Sequence, residues 1–223
     1  KPYVLANEKY YYFEDDRWVD LGLSVLWAAY NVGASSPEEY GGYYSWGETE
    51  EKGEYSWENY THGVYNHYYN RWGASFIGKE ISGTSYDVAH VTWGGGARMP
   101  TQTEVEELVN KCTFTDGSYK GVSGSYVTGP NGNSIFLPFA GCWCDDLLGN
   151  YGEGGGGYFW SGTLYDIEDM VYNWDIWDYV TIGTYSFAYL LCCYDDYGDE
   201  PSGYWYDYDG RDFGQSVRPV KEK

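Results

Sequence analysis

Hydrophobic spacing along the chain sets a short helical middle between strand-like flanks. In Met99-Pro-Thr-Gln-Thr-Glu-Val-Glu-Glu-Leu-Val-Asn-Lys111 the apolar positions Val105, Leu108 and Val109, with Cys112 just beyond, fall on one stripe at helical spacing. Thr101 is placed to cap this segment, and Glu104 three residues on completes a capping box. Carboxylates fill the first turns, where the helix dipole favours them. The pattern predicts a helix over 102–111. A second helix is expected near 86–93, with Ser85 as its cap. Val88, Val91 and Trp93 are its apolar positions, and Gly94-Gly-Gly96 is the stop.

The rest of the chain reads as strands and turns. The first twenty residues form an opening strand or hairpin, in which Tyr10-Tyr-Tyr-Phe13 leads through an acidic turn to Trp18-Val-Asp20. Residues 21–28 are an apolar, β-rich run, and 33–62 suit a long packed loop region. Tyr126-Val127 and Ser134-Ile-Phe-Leu-Pro-Phe139, joined through Gly129-Pro-Asn-Gly132, read as a hairpin. Further strands are expected at 158–162, 186–192, 203–206 and 215–220. Trp27, Trp46, Phe136, Leu137, Trp160 and Val217 are the expected core. No hinge or fixed-period repeat divides the 223 residues. A single domain over 1–223 is therefore expected, with 1–17 as an N-terminal extension or opening strand.

Charge narrows the partners. Thirteen basic residues against 34 acidic ones give a net charge of −21, which opposes nucleic acid and anionic membrane surfaces. With 43% hydrophobic and 21% aromatic residues, the chain has the material for a core that acidic disordered segments lack. No run approaches the roughly 18 apolar residues of a membrane span, so no direct membrane insertion is expected of this segment. Between Lys120 and Arg211 there is no lysine or arginine, and 194–209 is built largely of Tyr, Asp and Gly. Tyrosine supplies large, rigid, amphipathic contact area at low entropic cost. Catalytic sets place His, Cys, Lys or Arg beside carboxylates. The composition suits recognition, and no enzyme activity and no cofactor are expected.

The side chains able to do chemistry are scattered. Five cysteines make no tidy disulfide framework. Cys142-Trp-Cys144 is too tight for the usual zinc or redox spacing. Cys192 and Cys193, adjacent on a strand, should face opposite sides. Buried thiols are the expected state for most of them. His62, His67 and His90 show no metalloprotease or triad context. Gly94-Gly-Gly96 and Gly154-Gly-Gly-Gly157 lack the Lys-Ser/Thr of a phosphate loop and read as turns. Asp195, Asp196, Asp199 and Glu200 are hard oxygen donors for calcium, with a solvated acidic loop as the plainer reading.

Separated motifs carry a family resemblance. Arg98-Met-Pro-Thr-Gln-Thr-Glu-Val-Glu106 resembles the helix start of the formylglycine-generating-enzyme-like branch of the C-type lectin fold, and Gly214-Gln-Ser-Val-Arg-Pro-Val220 resembles its closing strand. Val19-Asp-Leu-Gly-Leu-Ser-Val-Leu-Trp-Ala-Ala-Tyr-Asn-Val-Gly-Ala34, Tyr43-Tyr-Ser-Trp-Gly-Glu48 and Asn131-Gly-Asn-Ser-Ile-Phe-Leu-Pro138 look like paralogous surface-lipoprotein domains of gut anaerobes. The resemblance covers roughly 18–220. It implies an α+β, C-type lectin fold, two helices flanking a small twisted antiparallel sheet with long loops. The copper-binding cysteine pair of the branch's oxidases has no counterpart in Cys142/Cys144 or Cys192/Cys193. The Glu-Pro-Asn and Trp-Asn-Asp signatures of calcium-dependent lectins are also not reproduced.

The ending Tyr204-Trp-Tyr-Asp-Tyr-Asp-Gly-Arg211, two further residues, then Gly214-Gln-Ser-Val-Arg218 resembles variable proteins of diversity-generating retroelements. There, adenine-directed mutation scatters Asn codons into a palette rich in Tyr, Asp, Ser and Gly. Trp and Glu lie outside it, which makes Trp174, Trp177, Trp205, Glu168 and Glu200 scaffold or products of other codons. The resemblance implies an extracellular or cell-surface ligand-binding domain, lipoprotein-anchored through a segment outside this stretch. Its partner would be an unknown protein or cell-surface ligand, with a basic one fitting best. The expected site lies in 165–213, at Tyr165, Asp166, Tyr194, Asp196, Tyr197, Tyr204, Tyr206, Asp207, Tyr208, Asp209, Asp212 and Phe213. These side chains should face solvent, whereas Arg211 and Arg218 should be fixed, Arg211 by bonding the acidic loops. A fixed, non-diversified surface lipoprotein or adhesin domain is the alternative.

Overall fold

Glycine, proline and acidic turn residues break the chain into short pieces, and strand-forming Tyr, Val, Trp and Thr fill the intervals. The computed structural model describes residues 3–6, 9–12, 17–144, 147–148, 155–194 and 204–223. The chain opens with a hairpin, β1 (Tyr3–Ala6) and β2 (Lys9–Tyr12), then the short strands β3 (Trp18–Val19) and β4 (Leu26–Ala28). A second hairpin, β5 (Gly63–Asn66) and β6 (Arg71–Ala74), precedes the helices α1 (Val88–Trp93) and α2 (Gln102–Lys111). A meander follows, of β7 (Thr113–Tyr119), β8 (Val122–Thr128) and β9 (Ser134–Pro138). The ribbon β10 (Trp143–Cys144) and β11 (Leu147–Leu148) leads to the long β12 (Gly156–Leu164). After a projecting hairpin, β13 (Met170–Asn173) and β14 (Asp178–Thr181), the chain returns as β15 (Phe187–Tyr194) and β16 (Tyr204–Gly210), and β17 (Val220–Lys221) closes it.

These strands pair antiparallel into three small sheets, β12-β15-β16, β7-β8-β9 and β17-β4-β3, with the remaining strands in two-stranded ribbons. The expectation of two helices flanking one sheet in an α+β C-type lectin arrangement is therefore corrected: the described chain is mostly β, with only six and ten helical residues in α1 and α2. The reason is local. Residues 113–210 hold strand formers between turn residues at short intervals, so this half spends itself on hairpins instead of one sheet framed by helices.

The capping box on α2 forms as expected, with Thr101 accepting from the Glu104 backbone and Glu104 accepting from the Thr101 backbone. Val105 and Leu108 are buried, and Val109 and Cys112 pack beside them. The first helix differs from expectation. Its cap is Asp87, not Ser85, because the Asp87 carboxylate accepts from Ala89 N and His90 N and also from Gly83 N and Met99 N. Val91, expected inside, is exposed, and Ala89 is buried in its place. Gly94 ends this helix as anticipated, at φ 57.

The β8–β9 hairpin stands where the sequence pattern puts it, and the strands expected at 158–162, 186–192 and 203–206 overlap β12, β15 and β16, whereas the closing strand expected at 215–220 is reduced to isolated bridges and Val220 of β17. The hairpin turn begins at Gly129, where a Cβ would stand 1.9 Å from the Leu21 carbonyl oxygen, so only glycine fits. Residues 21–25 are not strand but bends, although Leu21, Leu23 and Val25 are buried. All six expected core residues are buried.

Alternation along β12 and β15 divides the interior in two. Phe159, Leu191 and Cys193 join one apolar cluster with Val105 and Leu108 of α2, while Tyr158, Trp160, Leu190 and Cys192 join a second with Trp46 and Val217. Cys192 and Cys193 thus face opposite sides, as strand geometry requires. Between the clusters runs the segment 211–220, polar in sequence yet buried throughout except at Phe213, which is half-buried. It bridges Tyr44 through Gln215, Phe159 through Ser216 and Arg98 through Val220. Its arginines are its anchors. Arg218 donates to Asn31 Oδ1 and to the carbonyls of Ala28 and Phe136 at 2.8–3.1 Å.

Candidate ligand-binding surface

The β12-β15-β16 sheet is covered in its middle, and side chains emerge at one end of it, across all three strands. Phe187 and Tyr189 of β15 alternate with the buried Ala188 and Leu190 and are half-buried at the end beyond the core. Tyr189 is paired in register with Tyr208 of β16. A register shift between Trp160 and Leu164 interrupts β12 before Leu164 pairs with Ala188, and Tyr165 continues along the sheet, its N–H bonded to the Phe187 carbonyl at 3.1 Å.

These elements assemble an aromatic rim. The rings of Tyr165 and Tyr208 stack at 4.1 Å with 15° between their planes. Tyr189 meets Tyr165 edge-on at 5.3 Å, and Phe187 meets Tyr208 edge-on at 5.6 Å. Edge-to-face and offset-stacked pairs of this kind add roughly 0.5–1.5 kcal/mol beyond their buried area. Asp166 lies beside the rim and is ion-paired to Lys79, and Asp207 bonds the Tyr208 N–H at 2.8 Å.

Of the expected site residues, Tyr165, Asp166 and Tyr208 reach this surface; Asp207 is half-buried and alternates to the other face of β16, level with Leu190. Asp209, Asp212 and Phe213 do not face solvent as expected. Asp209 Oδ2 accepts from Gln215 Nε2 at 2.9 Å, and burial pushes its carboxyl up to about 6, with the charge of Asp207 adding to the rise. Asp212 is 3% exposed, and its carbonyl accepts from Ser45 Oγ. Phe213 packs against the second apolar cluster. The reason is that Asp212 and Phe213 already belong to the segment 211–220 that threads the core, and Asp209, near the end of β16, turns its carboxylate to Gln215 of that segment. Tyr194, Tyr204 and Tyr206 lie in strands opposite Gly156, Cys193 and Leu191. Asp196 and Tyr197 lie outside the described residues, as do Asp195, Asp199 and Glu200 of the acidic loop.

Arg211 also differs from expectation. Among the described residues it bonds no acidic side chain: Nε donates to Tyr60 OH at 3.0 Å and Nη1 to the carbonyls of Ser75 and Tyr185 at 2.8 and 2.9 Å. Burial draws its pKa downward, while Tyr60 and the carboxylate of Asp169 favour the charge. Arg211 holds the frame under the rim.

The sequence reading missed the tip of the β13–β14 hairpin, where Trp174, Ile176, Trp177 and Tyr179 are exposed. The sequence makes both tryptophans scaffold or products of other codons. The available signal was the turn-forming Asn173, Asp175 and Asp178 interleaved with aromatic residues between two alternating runs.

A separate open cleft of about 350 Å³ lies beside Glu48, Lys52, His62 and Tyr86. Its polar groups are engaged: Glu48 pairs with Lys52 at 2.7 Å and accepts from Thr61 N at 2.6 Å. His62 Nε2 lies 3.2 Å from the Gly47 carbonyl, and burial lowers its pKa. Among the described residues no three His, Cys, Asp or Glu side chains gather to hold a metal ion, and no helix is long and apolar enough to cross a membrane. No protein family, curated protein or solved structure matches the chain.

Proposed function

We propose that this domain binds a protein or cell-surface ligand through the rim formed by Tyr165, Phe187, Tyr189 and Tyr208, and catalyses no reaction. The observation that carries this reading is the stacked Tyr165–Tyr208 pair, left half-open on a fixed strand frame. Tyrosine held in this way offers contact area with little entropy to lose on binding. The rim lies in a stretch without lysine or arginine, so its field favours a basic partner, engaged by ion pairs and cation–π contacts. Presentation at the cell surface or outside the cell suits such a role.

The Tyr/Asp palette and the Gly-Gln-Ser-Val-Arg ending support a variable protein of a diversity-generating retroelement, with variation at rim positions such as Tyr165, Asp166 and Tyr208. A fixed adhesin or surface-lipoprotein surface is the second reading, and the burial of Asp209 and Asp212 favours it at those two positions. The gene neighbourhood separates the two. Diversification requires a reverse transcriptase beside a near-copy of the 3′ segment whose mismatches fall at template adenines. Absence of that copy leaves the fixed surface. The binding role is tested by displaying the chain with Tyr165, Asp166 and Tyr208 randomised and sorting for fold, then for capture of a basic protein. Folded libraries that yield rim-dependent binders support the reading, and libraries that fail to fold or never bind oppose it.

A further inference from the structure

Asn173 and Asp178 pair across the β13–β14 hairpin, so its loop is the four residues 174–177. Asp175 N–H bonds Asn173 Oδ1 at 2.9 Å, which fixes the start of the turn. Trp177 closes it at φ 56, a left-handed conformation that large side chains rarely adopt and that glycine or asparagine would take without strain. The result is to hold Trp174 and Trp177 outward, 72% and 75% exposed. Burial explains neither ring.

The two indoles stand 6.1 Å apart with 78° between their planes, so they form a corner. Tyr172 braces it, edge-on to Trp174 at 4.8 Å and to Tyr179 at 5.2 Å. Asp175 and Asp178, both exposed, flank the corner. A cation set against such walls meets the negative faces of the rings and nearby carboxylates together. Arg71 reaches the root of the hairpin, with Nη1 3.5 Å from the Met170 carbonyl, and Lys79 is paired to Asp166.

We infer that the Trp174–Trp177 corner receives a lysine or arginine side chain presented by an extended basic segment of a protein partner. Charge selects this occupant. A second copy of the chain brings its own −21, and an anionic bilayer is repelled by the same field. A sugar stacks on a flat ring face, whereas these rings stand nearly at right angles. The corner is a separate element from the Tyr165–Tyr208 rim, so either can fail alone.

The test uses the full chain and a fluorescent octa-arginine peptide, followed by anisotropy at physiological salt. The Trp174→Ala/Trp177→Ala variant keeps the net charge, and its thermal midpoint checks the fold. It should bind about tenfold more weakly, as loss of two cation–π contacts implies. Asp175→Asn/Asp178→Asn should also weaken binding, whereas Tyr68→Ala, which removes a comparably exposed ring from the β5–β6 hairpin, should leave it within twofold. Unchanged affinity in the tryptophan variant would reduce the interaction to bulk charge and overturn the inference. So would tryptophan-dependent self-association in sedimentation, or tryptophan-dependent binding to phosphatidylserine vesicles.

Discussion

The Arg211 guanidinium lies over the Trp46 ring, its central carbon 4.6 Å from the centroid. Both side chains are fully buried, and the arginine donates to Tyr60, Ser75 and Tyr185 from this position. One residue thus ties the segment 211–220 to the loop at Tyr60, the end of β6 and the start of β15. Tyr208 stands three residues upstream of this anchor, which is why the rim can be open without being loose.

Arg211→Met should destabilise the fold by about 3 kcal/mol or more, since three buried acceptors lose their donor. Arg211→Lys should recover little of this, because an ammonium cannot reproduce the planar fork or the stacking. Urea unfolding of the three chains reads both effects, and equal stability of the lysine variant and the parent would refute the geometry.

Asp209 should make stability depend on pH in an unusual direction. Its ordinary value is 3.8, and burial raises it to about 6 in the folded chain. The folded state therefore holds this proton more tightly than the unfolded state. The stabilisation is complete below about 4 and is lost as pH rises through about 6. Asp209→Asn should be more stable than the parent by about 2 kcal/mol at pH 8, with the gap closing toward pH 4. Urea midpoints of both chains across that range decide it, and a gap that does not change with pH contradicts the burial of this carboxyl.

Cysteine reactivity should be low. Burial pushes Cys142 up to about 12, with Asp209 and Cys144 adding to it. Burial and the charge of Glu107 push Cys112 up to about 11, and Cys193 is raised further by burial. Since the thiolate is the reactive form, these three should resist a disulfide reagent at pH 7.4 until denaturant is added. Rapid native-state labelling at any of them, located by peptide mass, would contradict their placement.

The Tyr165–Tyr208 stack should appear as a coupling between two distant positions in sequence. A double-mutant cycle to alanine should give roughly 1 kcal/mol of interaction energy in urea unfolding. A coupling near zero would mean that the two rings do not meet in solution.

Parts of this architecture were legible because local rules act alone there. The α2 capping box needs only Thr101 and Glu104 at the right spacing, and the Gly-Pro-Asn-Gly run marks the β8–β9 turn, although Gly129 is also demanded by the Leu21 carbonyl. The opposite orientations of Cys192 and Cys193 follow from strand geometry. Legibility ended where distant contacts decide. Asp87 displaces Ser85 as a cap because it also bonds Met99, twelve residues away. Asp209 and Asp212 resemble exposed rim residues in composition, yet Gln215 and Ser45 draw them inward. Trp174 and Trp177 read in the sequence as scaffold or products of other codons, and only the β13–β14 pairing shows that they crown a hairpin.

The central claim, that the rim is a binding surface on a fixed frame, is tested most directly by probing an array of peptides graded in net charge, together with glycans. Labelled parent chain and the Tyr165→Ala/Tyr208→Ala variant are compared on the same array, after matching their unfolding midpoints. The account predicts that the parent captures basic peptides and that the variant loses most of that signal. Equal signals from the two chains, or binding confined to acidic peptides, would contradict it.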